Sequence, residues 1–208
     1  PAARNSTLSP RAAARPARGR GRMAGLTPFV TVGPFFASFL SVEGCPRIAT
    51  ANALGRHITI EGTVRDGAGA PVPEALVEIW QANAAGRYAH PDDHQAKPLD
   101  PNFTGYGRAP TDDDGRFSIE TVMPGRVPGP DGTLQAPHVL LGVLARGILT
   151  RLVTRVYFAD EPSNADDAIL RLVPAERRAT PVARARGDAA YEFDLALPAH
   201  NETVFFDV

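Results

Sequence analysis

The strongest constraint on this chain is a period-two alternation of apolar and polar residues in short segments separated by turn residues. In HITIEGTVRD, residues 57–66, Ile58, Ile60, Gly62 and Val64 fall on one face and Thr59, Glu61, Thr63 and Arg65 on the other. Successive side chains of a strand point to opposite faces, so this pattern predicts a half-buried β-strand. DGAG at 66–69 then supplies a turn. Further strands are predicted at 75–82 (ALVEIWQA), 116–122 (RFSIETV), 138–146 (HVLLGVLAR), 152–158 (LVTRVYF), 191–197 (YEFDLAL) and 202–208 (ETVFFDV). The 138–146 segment is almost continuously apolar and is expected at the centre of a sheet. Only DDAILRLV, 166–173, has a helical pattern. Strands at short intervals with turns between them predict an all-β chain: an antiparallel β-sandwich with an extended N-terminal arm and one or two short helices.

The 208 residues suffice for one substantial core, and 19 Gly with 20 Pro favour turns over long helices. The chain divides into three parts. Residues 1–22 hold six Arg and no acid, and their Ala/Arg/Pro/Gly composition predicts a disordered basic tail, or sequence upstream of a start at Met23. Residues 23–56 form an arm interrupted by Pro28, Pro34 and Pro46, and residues 57–208 carry the sandwich. The apolar run after Met23 is a poor secretion signal, because Pro28, Gly33 and Pro34 break it and Ser41-Val42-Glu43 is a poor cleavage site. Removing the six tail arginines leaves 16 basic against 23 acidic residues, a net of −7, which gives no reason to expect nucleic acid as a partner. No stretch approaches the ~20 apolar residues that span a membrane. With Cys45 as the single cysteine, no internal disulfide and no cysteine-based metal site can form, which suits a cytoplasmic, reducing location.

The residues suited to chemistry are few. The five histidines are His57, His90, His94, His138 and His200. His90, Asp93 and His94 stand together, but in a Pro- and Asp-rich stretch that reads as a solvated loop. No nucleophile elbow, phosphate loop or dinucleotide fingerprint is present. Trp80 is expected in the core. Residues 83–115, with Pro91, Pro98, Pro101 and Pro110, lack a sustained period and predict one long loop, TGYG at 104–107 included; long connections of this kind are often functional.

The run GTVRDGAGAPVPEALVEIWQANAAGRYAH, 62–90, resembles the opening of the intradiol ring-cleavage dioxygenases. PLDPNFTGYGR (98–108), TDDDGRFSIETVMPG (111–125), APHVLLGVLARG (136–147), LVTRVYFADE (152–161) and the C-terminal YEFDLAL and ETVFFDV follow in the family's order. The resemblance covers about residues 26–208. A non-catalytic transthyretin-like or carboxypeptidase-regulatory-like sandwich would share the strand-turn pattern, but not the W-Q-A and P-L-D-P-N-F pieces.

Iron-binding members hold ferric iron with two Tyr and two His of one chain, a hard donor set that suits Fe(III). At those positions this chain has Gln95, Val127, His138 and Leu140, and Gln135 replaces the Arg before the first His. One imidazole cannot hold ferric iron. The resemblance therefore implies the non-iron-binding chain of a two-chain member, inactive alone, with no catalytic group and no metal of its own. Its Fe(III) would be bound by a homologous beta subunit, its substrates would be protocatechuate and O2, and the pair would build a higher symmetric assembly. It further implies that the arm motif Thr31-Val32-Gly33-Pro34-Phe35 and Arg146 reach the partner's active site, with Phe35 standing where members often have Tyr. A self-sufficient dioxygenase using His90, His94 and His138 is the remaining enzymatic alternative.

Overall fold

The computed structural model describes residues 30–33, 35–36, 47–129, 131–197 and 202–207. The tail 1–22, most of the arm and Pro34 lie outside the described residues. Among the described residues nine strands follow in order: β1 (His57–Arg65), β2 (Leu76–Trp80), β3 (Tyr106–Pro110), β4 (Arg116–Val122), β5 (His138–Leu144), β6 (Leu152–Phe158), β7 (Val182–Ala185), β8 (Ala190–Glu192) and β9 (Leu195–Ala196). A short helix, α1 (Ala168–Leu172), lies between β6 and β7, preceded by a 3-10 turn over Pro162–Asp166.

The strands join in the order β3-β2-β5-β6-β7-β8-β1-β4, with β9 on β1. This path folds into the two layers of a sandwich. Val77 and Ile79 of β2, Val139, Leu141 and Val143 of β5, and Val156 and Phe158 of β6 pack in one core with Ile58, Ile60, Val64, Phe117 and Ile119 of the β1–β4 layer. The alternation predicted for β1 holds: Ile58, Ile60 and Val64 are buried, and β5 sits centrally between β2 and β6. Most pairings are antiparallel, but β6–β7, β1–β8 and β1–β9 are parallel, and β7 bridges the layers by pairing with β6 and β8. A Cβ at Gly62 would lie 1.8 Å from the Phe193 carbonyl oxygen, so only glycine admits the chain segment between β8 and β9 against β1.

Four expectations need correction. The 83–115 segment is not one loop, since its TGYG leads into edge strand β3. Only the small Gly107 and Ala109 of β3 are buried, so no apolar alternation marks it. The predicted 191–197 strand is two short strands, β8 and β9, and residues 202–207 form no strand. Those C-terminal residues instead bond through Thr203 N–H to Ala196 O and Phe206 N–H to Val153 O, and Val204 and Phe206 cover a second apolar cluster of Ala136, Tyr157, Leu170 and Val173. Trp80 is not in the core. With Val77 and Ile79 inward, period two puts Glu78 and Trp80 on the outer face of the sheet. Among the described residues no helix is long and apolar enough to cross a membrane.

Candidate functional site

Trp80 belongs to the wall of a depression of about 610 Å3, shared with Tyr88, His90, Asp92, Asp93, His94, Gln95, Val127 and Pro128. Trp80 and Tyr88 stack with ring centroids 5.6 Å apart, and His90 meets Trp80 edge-on at 5.9 Å. Two of the four positions that the family resemblance matches to iron ligands, Gln95 and Val127, thus share one wall. A third, Leu140, is the cross-strand neighbour of Trp80, and the fourth, His138, lies two residues along β5 on the same face. Gln95 sends its amide to Gly86 O and Asp93 Oδ2, both at 3.1 Å.

Behind this wall runs a network that sequence reasoning missed. Arg155 of β6 is the other cross-strand neighbour of Leu140. Its Nη1 donates to Gln135 Oε1 at 2.6 Å and to Tyr157 Oη at 3.3 Å. Tyr157 Oη donates to Asp167 Oδ1 at 2.9 Å. Asp167 is fully buried, caps α1 through the N–H groups of Ile169 and Leu170, and accepts the N–H of Ala136 at 2.8 Å. Burial works to raise the Asp167 pKa, but its hydrogen bonds from Leu170, Ala136 and Tyr157 prevail and hold it below the usual carboxylate value. A D-x-x-x cap before an apolar turn was the available signal in the sequence; the cross-strand bonds left none.

His138 is nine-tenths or more buried, and its Nδ1 lies 2.8 Å from Ala136 O. A carbonyl only accepts, so Nδ1 carries the proton. Burial first, and the Arg155 charge second, push its pKa down to about 4, so the ring is neutral at pH 7. At the positions that the resemblance matches to iron ligands, an amide, two aliphatic side chains and one imidazole make a donor set that does not fit ferric iron. Among the described residues no group of three or more His, Cys, Asp or Glu is arranged to hold a metal ion, so His90, His94 and His138 form no triad.

The other expected site residues gather elsewhere. Thr31 Oγ1 accepts the Gly147 N–H at 2.7 Å, which ties the arm to the turn after β5 beside Arg146. Gly33 accepts from Phe36 N–H at 3.1 Å, and Phe35 is 68% exposed. Arg146 Nη2 lies 3.3 Å from Glu74 Oε2, with both side chains about half exposed. Glu74 has φ +56°, the one described residue other than glycine in left-handed conformation. That conformation costs a residue with a Cβ about 1–2 kcal/mol. A half-exposed ion pair contributes about 0–1 kcal/mol, so the pair does not offset the strain.

A dioxygenase family profile (Dioxygenase_C) matches residues 33–199, four-fifths of the chain. The chain belongs to the intradiol dioxygenase family. It is 43% identical over 198 residues to the protocatechuate 3,4-dioxygenase alpha chain of Burkholderia cepacia, covering 88% of this chain and 97% of that one. To the beta chain of the same organism's enzyme it is 38% identical over 165 residues, covering 75% and 70%. The solved dioxygenase domain of a carbohydrate-binding fusion from Streptomyces sp. SirexAA-E matches with a TM-score of 0.57 at 25% identity, over 83% of this chain and 99% of that domain. Family membership sets aside the transthyretin-like and carboxypeptidase-regulatory-like readings.

Proposed function

We propose that this chain is an alpha-type subunit of a protocatechuate 3,4-dioxygenase, completing the active site of an iron-bearing beta subunit. The net reaction joins both atoms of O2 to protocatechuate, cleaving the bond between its two hydroxylated carbons to give 3-carboxy-cis,cis-muconate. The Fe(III) belongs to the beta chain, because the residues here do not fit it. This chain contributes no acid, base or ligand to the metal. Its part is to bind the substrate carboxylate, shape the pocket and keep water out, within a higher symmetric alpha-beta assembly in the cytoplasm.

The observation that carries this reading is the separation of the two sets of residues. His138 opens β5, whereas Arg146 and the Thr31–Gly147 bond lie beyond its far end. The strand from His138 to Leu144 alone spans about 20 Å. A guanidinium and an arm at that end cannot serve the chain's own depression, but suit a site on another chain. Burying a carboxylate without a cation or donors is costly, and Arg146 beside the arm supplies the cation. Similarity to both alpha and beta chains supports the pairing.

The test compares iron content and protocatechuate-dependent oxygen uptake for the chain alone and co-expressed with a beta chain. An iron-free, inactive chain that becomes active in a co-purifying complex is expected. Stoichiometric iron and activity in the isolated chain would overturn the reading. In the complex, Arg146→Met is expected to raise KM for protocatechuate about 10- to 100-fold, the loss of a charged hydrogen bond.

A further inference from the structure

We infer that Glu74 is a positioning residue for Arg146, holding its guanidinium where the substrate carboxylate is met. The inference rests on the reading that Arg146 faces substrate. It starts from a mismatch. Glu74 occupies a left-handed backbone position, φ +56°, where glycine or asparagine would be less strained. Its ion pair with Arg146, one contact at 3.3 Å between half-exposed side chains, returns less stability than that backbone costs. A carboxylate at such a position is not explained by stability.

The surroundings explain what it does. Arg146 follows the buried Ala145 at the end of β5, and its long side chain would otherwise sample many rotamers. The turn bearing Glu74 is, by contrast, clamped. Glu74 N–H donates to Thr111 O at 3.3 Å, Ala75 N–H donates to Thr111 Oγ1 at 2.8 Å, and Thr111 Oγ1 donates to Val72 O at 2.8 Å. Pro71 and Pro73 fix the backbone on either side of Val72. A rigid turn thus presents a carboxylate to a flexible guanidinium, one residue before the Gly147 N–H that anchors Thr31 of the arm. The left-handed turn aims the carboxylate, and the carboxylate restricts Arg146 to the side where the arm docks. Glu74 touches neither substrate nor metal in this arrangement and acts only through Arg146.

The experiment uses the alpha-beta complex with steady-state oxygen uptake on protocatechuate and thermal melting of each variant. Glu74→Gln and Glu74→Asn are expected to raise KM up to about 5-fold with kcat within about twofold, matching the loss of one exposed pair. Glu74→Asp, which keeps the charge and tolerates the left-handed backbone, is expected to keep KM within about twofold of wild type. Glu74→Asn is expected to melt at or above the wild-type temperature, so its KM defect would not be unfolding. Unchanged or lowered KM in Glu74→Gln and Glu74→Asn, with KM raised in Arg146→Met, overturns the inference and leaves the reading of Arg146 intact. Unchanged KM in Arg146→Met removes both. A joint fall of kcat and melting temperature in all three Glu74 variants marks a structural role and also overturns it.

Discussion

Asp167→Ala should be among the most damaging single substitutions in this chain, because one buried carboxylate joins α1 to Ala136 and to Tyr157 of β6. Its carboxylate is fully buried and accepts four hydrogen bonds: Ile169 N–H at 3.0 Å, Leu170 N–H at 2.8 Å, Ala136 N–H at 2.8 Å and Tyr157 Oη at 2.9 Å. Losing the helix cap costs about 1 kcal/mol. The Ala136 N–H and the Tyr157 hydroxyl are then left buried without this acceptor, at about 1–3 kcal/mol each. The sum is on the order of 4 kcal/mol, a large part of a typical domain's 5–15 kcal/mol. Urea unfolding followed by the fluorescence of Trp80, the single tryptophan, measures it. Tyr157→Phe removes donor and bond together and should cost only about 1 kcal/mol. Adding it to Asp167→Ala should therefore recover part of the loss, since one orphaned donor disappears. The linked pH dependence has a definite sign. A carboxylate whose folded pKa is depressed stabilises fully above its unfolded pKa of about 3.9, and that stability is lost as pH falls through the lower folded value. Asp167→Asn should flatten this acid limb. A loss below about 1 kcal/mol in Asp167→Ala, or an additive double variant, would refute the reasoning.

Two further outcomes follow from the same geometry. His138 is held at about 4 when folded against 6.5 unperturbed, so the unfolded chain binds more protons between those values. Stability should fall as pH drops from 6.5 toward 4, and His138→Gln should remove that portion, read as denaturation midpoints at several pH values; an unchanged slope would show that His138 does not carry it. Gly62→Ala places a methyl group 1.8 Å from a backbone oxygen, which no rotamer can relieve. It should destabilise by about 3 kcal/mol or more, seen as lost soluble yield or a lowered melting temperature, and a wild-type melt would contradict the packing.

The fold class was written in the sequence because alternation with period two survives wherever one face is buried and one is wet. β1 and β4 announce themselves this way, and β5 does so by its nearly continuous apolar run. β3 and β7 do not, since Gly107, Ala109 and Ala183 turn inward and small residues leave no hydrophobic signature. That Gln95, Val127 and Leu140 carry neither a phenolate nor an imidazole was equally legible, because side-chain identity is read directly from the chain. The places those residues occupy were not. That Gln95 and Val127 share a wall with Trp80, that Arg155 sits across from Leu140, and that Asp167 ties α1 to Ala136 and Tyr157 all depend on strand register and on loop closure over long separations. Trp80 shows the limit within a single strand: period two says that its neighbours Ile79 and Glu78 face opposite ways, but only packing of the second layer decides which face is the inside. Glu74 shows the limit for a single residue. Its sequence neighbourhood gives no sign of a left-handed backbone, which is set by the hydrogen bonds of its turn to Thr111, or of its ion pair with Arg146, which β2 and β5 bring together by lying side by side.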